Sequence, residues 1–75
     1  MSVRKERKPL FKVGDWVSFP WGVKDALAQI IEDRGPIGVG GRRLYRIQPA
    51  LDFIEAFEMP EVDLKPAHRP PVQQS

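Results

Sequence analysis

The stretch Phe11-Lys-Val-Gly-Asp-Trp-Val-Ser-Phe-Pro20 writes a turn directly into a short alternating strand. Gly14 reaches backbone angles closed to other residues, and Asp15 bonds readily to nearby main chain, which together is turn chemistry. Side chains alternate along a strand, so Val17 and Phe19 share one face and Trp16 takes the other. Pro20 then ends the strand by withholding an amide donor. A chain opening in this way is set up for a small antiparallel β fold.

At 75 residues there is room for one domain, in which burial barely outweighs chain entropy and every large apolar side chain is needed. Small domains often gain stability from disulfides or a metal. Cysteine is absent, and the single histidine, His68, stands in a proline-rich stretch, so neither a metal nor another cofactor is expected. No apolar run approaches the ~20 residues that span a bilayer, and the basic start lacks the apolar core of a signal peptide. The expectation is a soluble, cytoplasmic protein with no membrane partner; a chain without cysteine fits a reducing compartment.

The formal net charge of +2 conceals a segregation along the chain. Arg4, Lys5, Arg7, Lys8 and Lys12 crowd the start against Glu6 alone. Arg34, Arg42, Arg43 and Arg46 form a second basic group, and Asp52, Glu55, Glu58, Glu61 and Asp63 an acidic stretch without a cation. A local basic patch of this kind can steer an anionic partner over about a Debye length, ~8–10 Å.

Three segments follow from these patterns. Residues 1–9 read as a flexible basic arm, residues 10–65 as the folded domain, and residues 66–75 as a disordered, proline-rich tail. Within the domain the first strand runs from about Trp16 to Phe19 and a turn follows at Trp21-Gly22. Asp25 to Asp33 is expected as the second strand, because it is short, follows Gly22 and precedes Gly35-Pro36. The Gly35 to Gly41 loop turns the chain, and Arg42 to Gln48 returns as a third strand with Tyr45 and Ile47 on one face. Pro49 to Met59 admits two readings. Ala50, Phe53, Ile54 and Phe57 make a helical stripe, whereas Phe57 and Met59 alternate with Glu58; a strand over Ile54 to Met59 is expected, since three strands alone cannot close a barrel. Pro60 to Leu64 is then a tight turn or short 3₁₀ segment that seats Val62 or Leu64 in the core.

The pattern Phe11-x-x-Gly14-Asp15-x-Val17, Pro20-x-Gly22-Val23, Ile30-x-Glu32-Asp33, a glycine-rich hairpin, Tyr45-x-Ile47 and Met59-Pro60 resembles the Tudor-like, RNA polymerase-interacting domain of CarD-type regulators and transcription-repair coupling factors. KOW domains share the Gly-Asp-x-Val opening. The resemblance covers about residues 11–64 and implies an all-β, SH3-like barrel of about five short antiparallel strands. It also implies docking on a protein partner, RNA polymerase or another nucleoprotein component, through a strand edge and its neighbouring side chains. The plasmid-type dihydrofolate reductases are SH3-like barrels with the same opening, but their Val-Gln-Ile-Tyr segment has no counterpart at Ile54 to Met59.

No catalytic site is expected. Glu55 and Glu58 point to opposite faces of a strand, and no hydroxyl or histidine stands where a nucleophile and base can be paired. Gly38-Val-Gly40-Gly41 lacks the lysine and hydroxyl of a phosphate-binding loop and reads as a hairpin tip. The residues expected to bind a protein partner are Trp16, Trp21, Arg42, Arg43, Tyr45 and Arg46. Trp16 has a second reading as a satellite core residue, and the arginines one as solvated partners of Glu32, Asp33 or the acidic stretch. Direct nucleic-acid binding is the alternative, through Arg4, Lys5, Arg7, Lys8, Lys12 and Arg34 with the arginine hairpin. A homo-oligomer is the third, because small barrels carry exposed edge strands.

Overall fold

The computed structural model describes residues 9–70, so the basic cluster Arg4, Lys5, Arg7 and Lys8 and the last five residues lie outside it. The described chain is all-β. Five strands, β1 (Trp16–Trp21), β2 (Lys24–Gly35), β3 (Leu44–Pro49), β4 (Phe57–Pro60) and β5 (Lys65–Pro66), form one antiparallel sheet in the order β4-β3-β2-β1-β5. Single 3₁₀ turns stand at Val39–Gly41 and Glu61–Asp63, and among the described residues no helix is long and apolar enough to cross a membrane.

The opening turn is closed twice. The Asp15 amide donates to the Lys12 carbonyl at 2.9 Å and the Asp15 carboxylate accepts the Lys12 amide at 3.0 Å. Gly14, at φ +100°, donates its amide to the Ile30 carbonyl at 2.8 Å, and the Ile30 amide returns a bond to Asp15, so the turn is fastened to β2. From there β1 pairs with β2 in unbroken register from Trp16 opposite Gln29 to Trp21 opposite Lys24. The two-residue loop Gly22-Val23 takes a positive φ at its first position only, +65° at Gly22, the arrangement of a II′ hairpin turn that suits the strand twist.

Alternation places Val17, Phe19, Ala28, Ile30, Tyr45 and Ile47 in one core with Phe11 and Leu64. Two register shifts interrupt the β2–β3 ladder, between Ile30 and Glu32 and between Asp33 and Gly35. The first leaves Ile31 without a partner between the Ile30–Ile47 and Glu32–Arg46 pairs, and bulges of this kind bend a strand and increase its twist. The sheet curls accordingly. β1 and β4 are separated by two strands in the sheet order, which in a flat sheet is a gap of ~14 Å at ~4.8 Å per strand. Yet Phe19 on β1 meets Phe57 on β4 edge to face, with ring centroids 5.6 Å apart.

The helical reading of Pro49 to Met59 is not realised. Ile54 donates its amide to the Leu51 carbonyl, and its own carbonyl accepts Gln48 Nε2 at 3.0 Å. With both main-chain groups committed to the turn, strand pairing starts three residues later, at Phe57 opposite Ile47. The strand expected from Ile54 therefore begins at Phe57 and runs on through Pro60. Leu64, rather than the exposed Val62, enters the core after the 3₁₀ turn.

Candidate functional site

Two surfaces of the described chain carry the expected site residues. On the β2–β3–β4 face, Glu32 stands opposite Arg46 and Arg46 opposite Glu58 in strand register. Arg34 bridges the two carboxylates, with Nη1 2.8 Å from Glu32 and Nε 2.9 Å from Glu58. The hydrogen bond and charge of Glu32, then the charge of Glu58, raise the Arg34 pKa and hold it ionised. Arg43 Nη1 reaches both oxygens of Asp33, at 2.7 and 2.8 Å, and that contact raises its pKa as well. Asp33 also accepts the Gly35 amide, so the pair is built into the hairpin. Two of the four arginines are thus committed to carboxylates of their own sheet. Arg42 is exposed and has no ion pair among the described residues, while Arg46 is half-buried between Glu32 and Glu58.

Tyr45 is a correction to the expected partner surface. It is 0% exposed and stands in the core beside Phe11, ring edge to ring face at 5.6 Å. Its hydroxyl donates to Glu61 at 2.8 Å and accepts the Phe11 amide at 3.2 Å. A phenol satisfied on both sides costs little to bury, so the ring contributes its full apolar area to the core. Burial, followed by the hydrogen bond to Glu61, pushes its pKa up to about 12. Trp16 is half-buried opposite Val17 and Phe19, and its carbonyl accepts the Ala67 amide where the chain leaves β5. Lys12 is exposed on the opening turn.

Trp21 belongs to the second surface. The β1–β2 hairpin and the turn after β3 flank an open groove of about 520 Å³, lined by the apolar Trp21, Val23, Leu27, Leu51, Phe53 and Pro70 together with Lys24 and Asp25. Trp21 is 44% exposed and rests edge-on against Phe19 at 6.1 Å; Val23 is 100% exposed and Phe53 78%. The Ala50 amide donates to the Leu27 carbonyl at 2.8 Å, which ties the Leu51–Phe53 turn to the hairpin and fixes the groove's width. Apolar side chains left this open in a domain that needs every one for its core are the surface most suited to a ligand.

The sequence reading assigned Trp21 to the surface but missed Val23 and Phe53. Val23 carried a usable signal, since an apolar residue in a two-residue hairpin loop has no core within reach. Phe53 carried a misleading one, because its spacing to Ile54 and Phe57 matches a helix face. Comparison of the chain with protein-family models, curated proteins and solved structures gives no match in any of the three.

Proposed function

We propose that this protein is a non-catalytic docking module, built on an SH3-like barrel, that binds a protein partner through the groove around Trp21. The barrel reading is supported by the strand order, the two bulges in β2 and the Phe19–Phe57 contact across the curled sheet. The docking reading is carried by one observation: Trp21, Val23 and Phe53 stand exposed around a single groove whose lining is mostly apolar, with Lys24 and Asp25 as its charged members. An aromatic anchor inside an apolar pocket with a polar border is the usual centre of binding energy at a protein interface. The assignment of the partner to the transcription or nucleoprotein machinery rests on the resemblance carried by Phe11 to Pro60. Nucleic-acid binding through the arginine hairpin is less well supported, since Arg34 and Arg43 already neutralise neighbouring carboxylates.

The test is site-specific photo-cross-linking in the native cell, with a photoreactive phenylalanine analogue at position 23 and, as a control on the other surface, at position 42. A discrete protein adduct from position 23 and none from position 42 is the expected result. The same adducts from both positions, or adducts from position 42 alone, overturn the proposal.

A further inference from the structure

The groove face carries both halves of a contact with itself. Val23 is 100% exposed and Phe53 78%, and both stand on turns, so they project beside a groove whose walls Leu27 and Leu51 are half-buried. Projections and a hollow thus lie on one patch. The two charges of the lining are opposite in sign and adjacent in sequence. Lys24 and Asp25 are both exposed, and neither has an ion pair among the described residues. Alternation along β2 sends their side chains to opposite sides of the strand. A two-fold axis that runs along the groove between them turns one copy face to face with another and brings each Lys24 to the second copy's Asp25. A partner patch of a single charge sign gains at one of these residues and loses at the other, whereas a second copy gains at both. Two-fold dimers are the commonest closed oligomers, and their interface requires a patch that complements itself.

We propose that two copies of this protein pair through the groove face about a two-fold axis, Lys24 of each against Asp25 of the other, with Val23 and Phe53 covered in the pair. A stable interface takes roughly 20–30 residues from each side, and this patch offers at most half of that. The pair is therefore weak and exchanging, with a dissociation constant above about the micromolar range of larger interfaces. A partner bound in the groove then excludes the second copy. The inference rests on the groove being a binding surface. Its test uses the purified protein alone, so it can fail while cross-linking from position 23 to a different protein succeeds.

The experiment is sedimentation equilibrium of the full chain between about 20 μM and 1 mM, a range that brackets weak association. Low salt, ~50 mM, keeps the exposed charges least screened. Wild type and Val62→Ser, which lies outside the groove, are expected to pass from monomer toward dimer alike. Val23→Ser and Phe53→Ser should each associate at least ~10-fold more weakly. Lys24→Glu and Asp25→Lys should each weaken association at least ~5-fold, because each sets like charges together at two symmetric positions. An equimolar mixture of these two charge variants should return to within about 2-fold of wild type, since the mixed pair has opposite charges at both positions again. That recovery also shows both variants to be folded. Wild type that stays monomeric at ~1 mM overturns the proposal. So does association that survives Val23→Ser and Phe53→Ser, or a mixture no stronger than its components. Assemblies larger than the dimer overturn it as well, because a two-fold contact closes on itself.

Discussion

The Tyr45 hydroxyl and the Glu61 carboxylate are joined by a 2.8 Å hydrogen bond that locks β3 to the 3₁₀ turn after β4. The same Glu61 oxygen accepts the Leu10 amide at 3.0 Å, and the Tyr45 hydroxyl accepts the Phe11 amide, so the start of the described chain is held by the same pair. Tyr45 is the only tyrosine, and its ionisation is therefore read directly by absorbance near 295 nm. The expected midpoint is about 12, raised by burial and then by the Glu61 bond. The folded state holds this proton more tightly than the unfolded chain, whose tyrosine ionises near ~10. The stabilisation is complete below that value and is lost as pH rises toward the folded pKa. Wild type should lose about 1.4 kcal/mol more than Tyr45→Phe between pH 9 and 11 in urea unfolding. At neutral pH, Tyr45→Phe should cost about 1–2 kcal/mol by leaving the Phe11 amide and Glu61 without their partner. A titration midpoint near ~10 would show the phenol to be solvated.

The Phe19–Phe57 contact holds the curled sheet together across strands that are not neighbours. Phe57→Ala should cost about 2–3 kcal/mol, below the range for a fully buried ring because Phe57 is half-buried. Phe57→Leu should recover at least half of that by keeping the volume, although it forfeits the edge-to-face term. Urea midpoints measure both. An alanine variant within about 0.5 kcal/mol of wild type would mean that the rings touch without bearing on stability.

Arg43→Ala separates a structural from a binding role for the arginine hairpin. The residue spans both oxygens of Asp33 from a solvent-facing position, so its removal should lower stability only slightly. Cross-linking from position 23 should be unchanged. Loss of the adduct in an Arg43→Ala variant of unaltered stability would move the docking surface onto the hairpin.

Much of the fold was legible because it is written locally. Gly14-Asp15, the Trp16 to Phe19 alternation and the glycines at 22 and 35 mark turns and strands within a few residues of themselves. Tyr45 reads from the sequence as one of a group of candidate aromatics with Trp16 and Trp21, and the groups that satisfy its hydroxyl in the core lie 16 and 34 residues away. The arginines were readable as partners of Glu32, Asp33 or the acidic stretch, but which arginine meets which carboxylate depends on strand register and on the β2 bulges, which no periodicity announces. The groove is the least legible feature. It exists because the Leu51–Phe53 turn is fastened to Leu27, and its lining comes from segments that share no pattern.

Gly22 sets the hairpin that carries Trp21 and Val23. Its φ of +65° costs an L-residue roughly 1–2 kcal/mol, and no heavy atom lies within 4 Å of where a Cβ would stand, so the penalty is conformational alone. Gly22→Ala should therefore lose about 1–2 kcal/mol in urea unfolding, and Gly22→Asn distinctly less, because asparagine tolerates this region. Equal costs for the two would point to a steric cause that the open surroundings do not offer.

Phe53→Ser and Val23→Ser test whether the groove serves binding or folding. Both side chains are almost wholly solvated, and neither belongs to the core cluster of Val17, Phe19, Ile30 and Ile47. Each substitution should change stability by no more than about 0.5 kcal/mol, the usual range for surface positions. If the groove is the docking site, each should nevertheless weaken binding of the cross-linked partner at least ~10-fold, which corresponds to ~1.4 kcal/mol and is typical of an interface anchor. Val62→Ser provides the matched control, being 71% exposed on the second 3₁₀ turn and outside the groove, and it should leave affinity unchanged. Equal affinities for all three variants would remove the groove from the interface. A loss of stability in Phe53→Ser comparable to that in Phe57→Ala would instead make the Leu51–Phe53 turn part of the core.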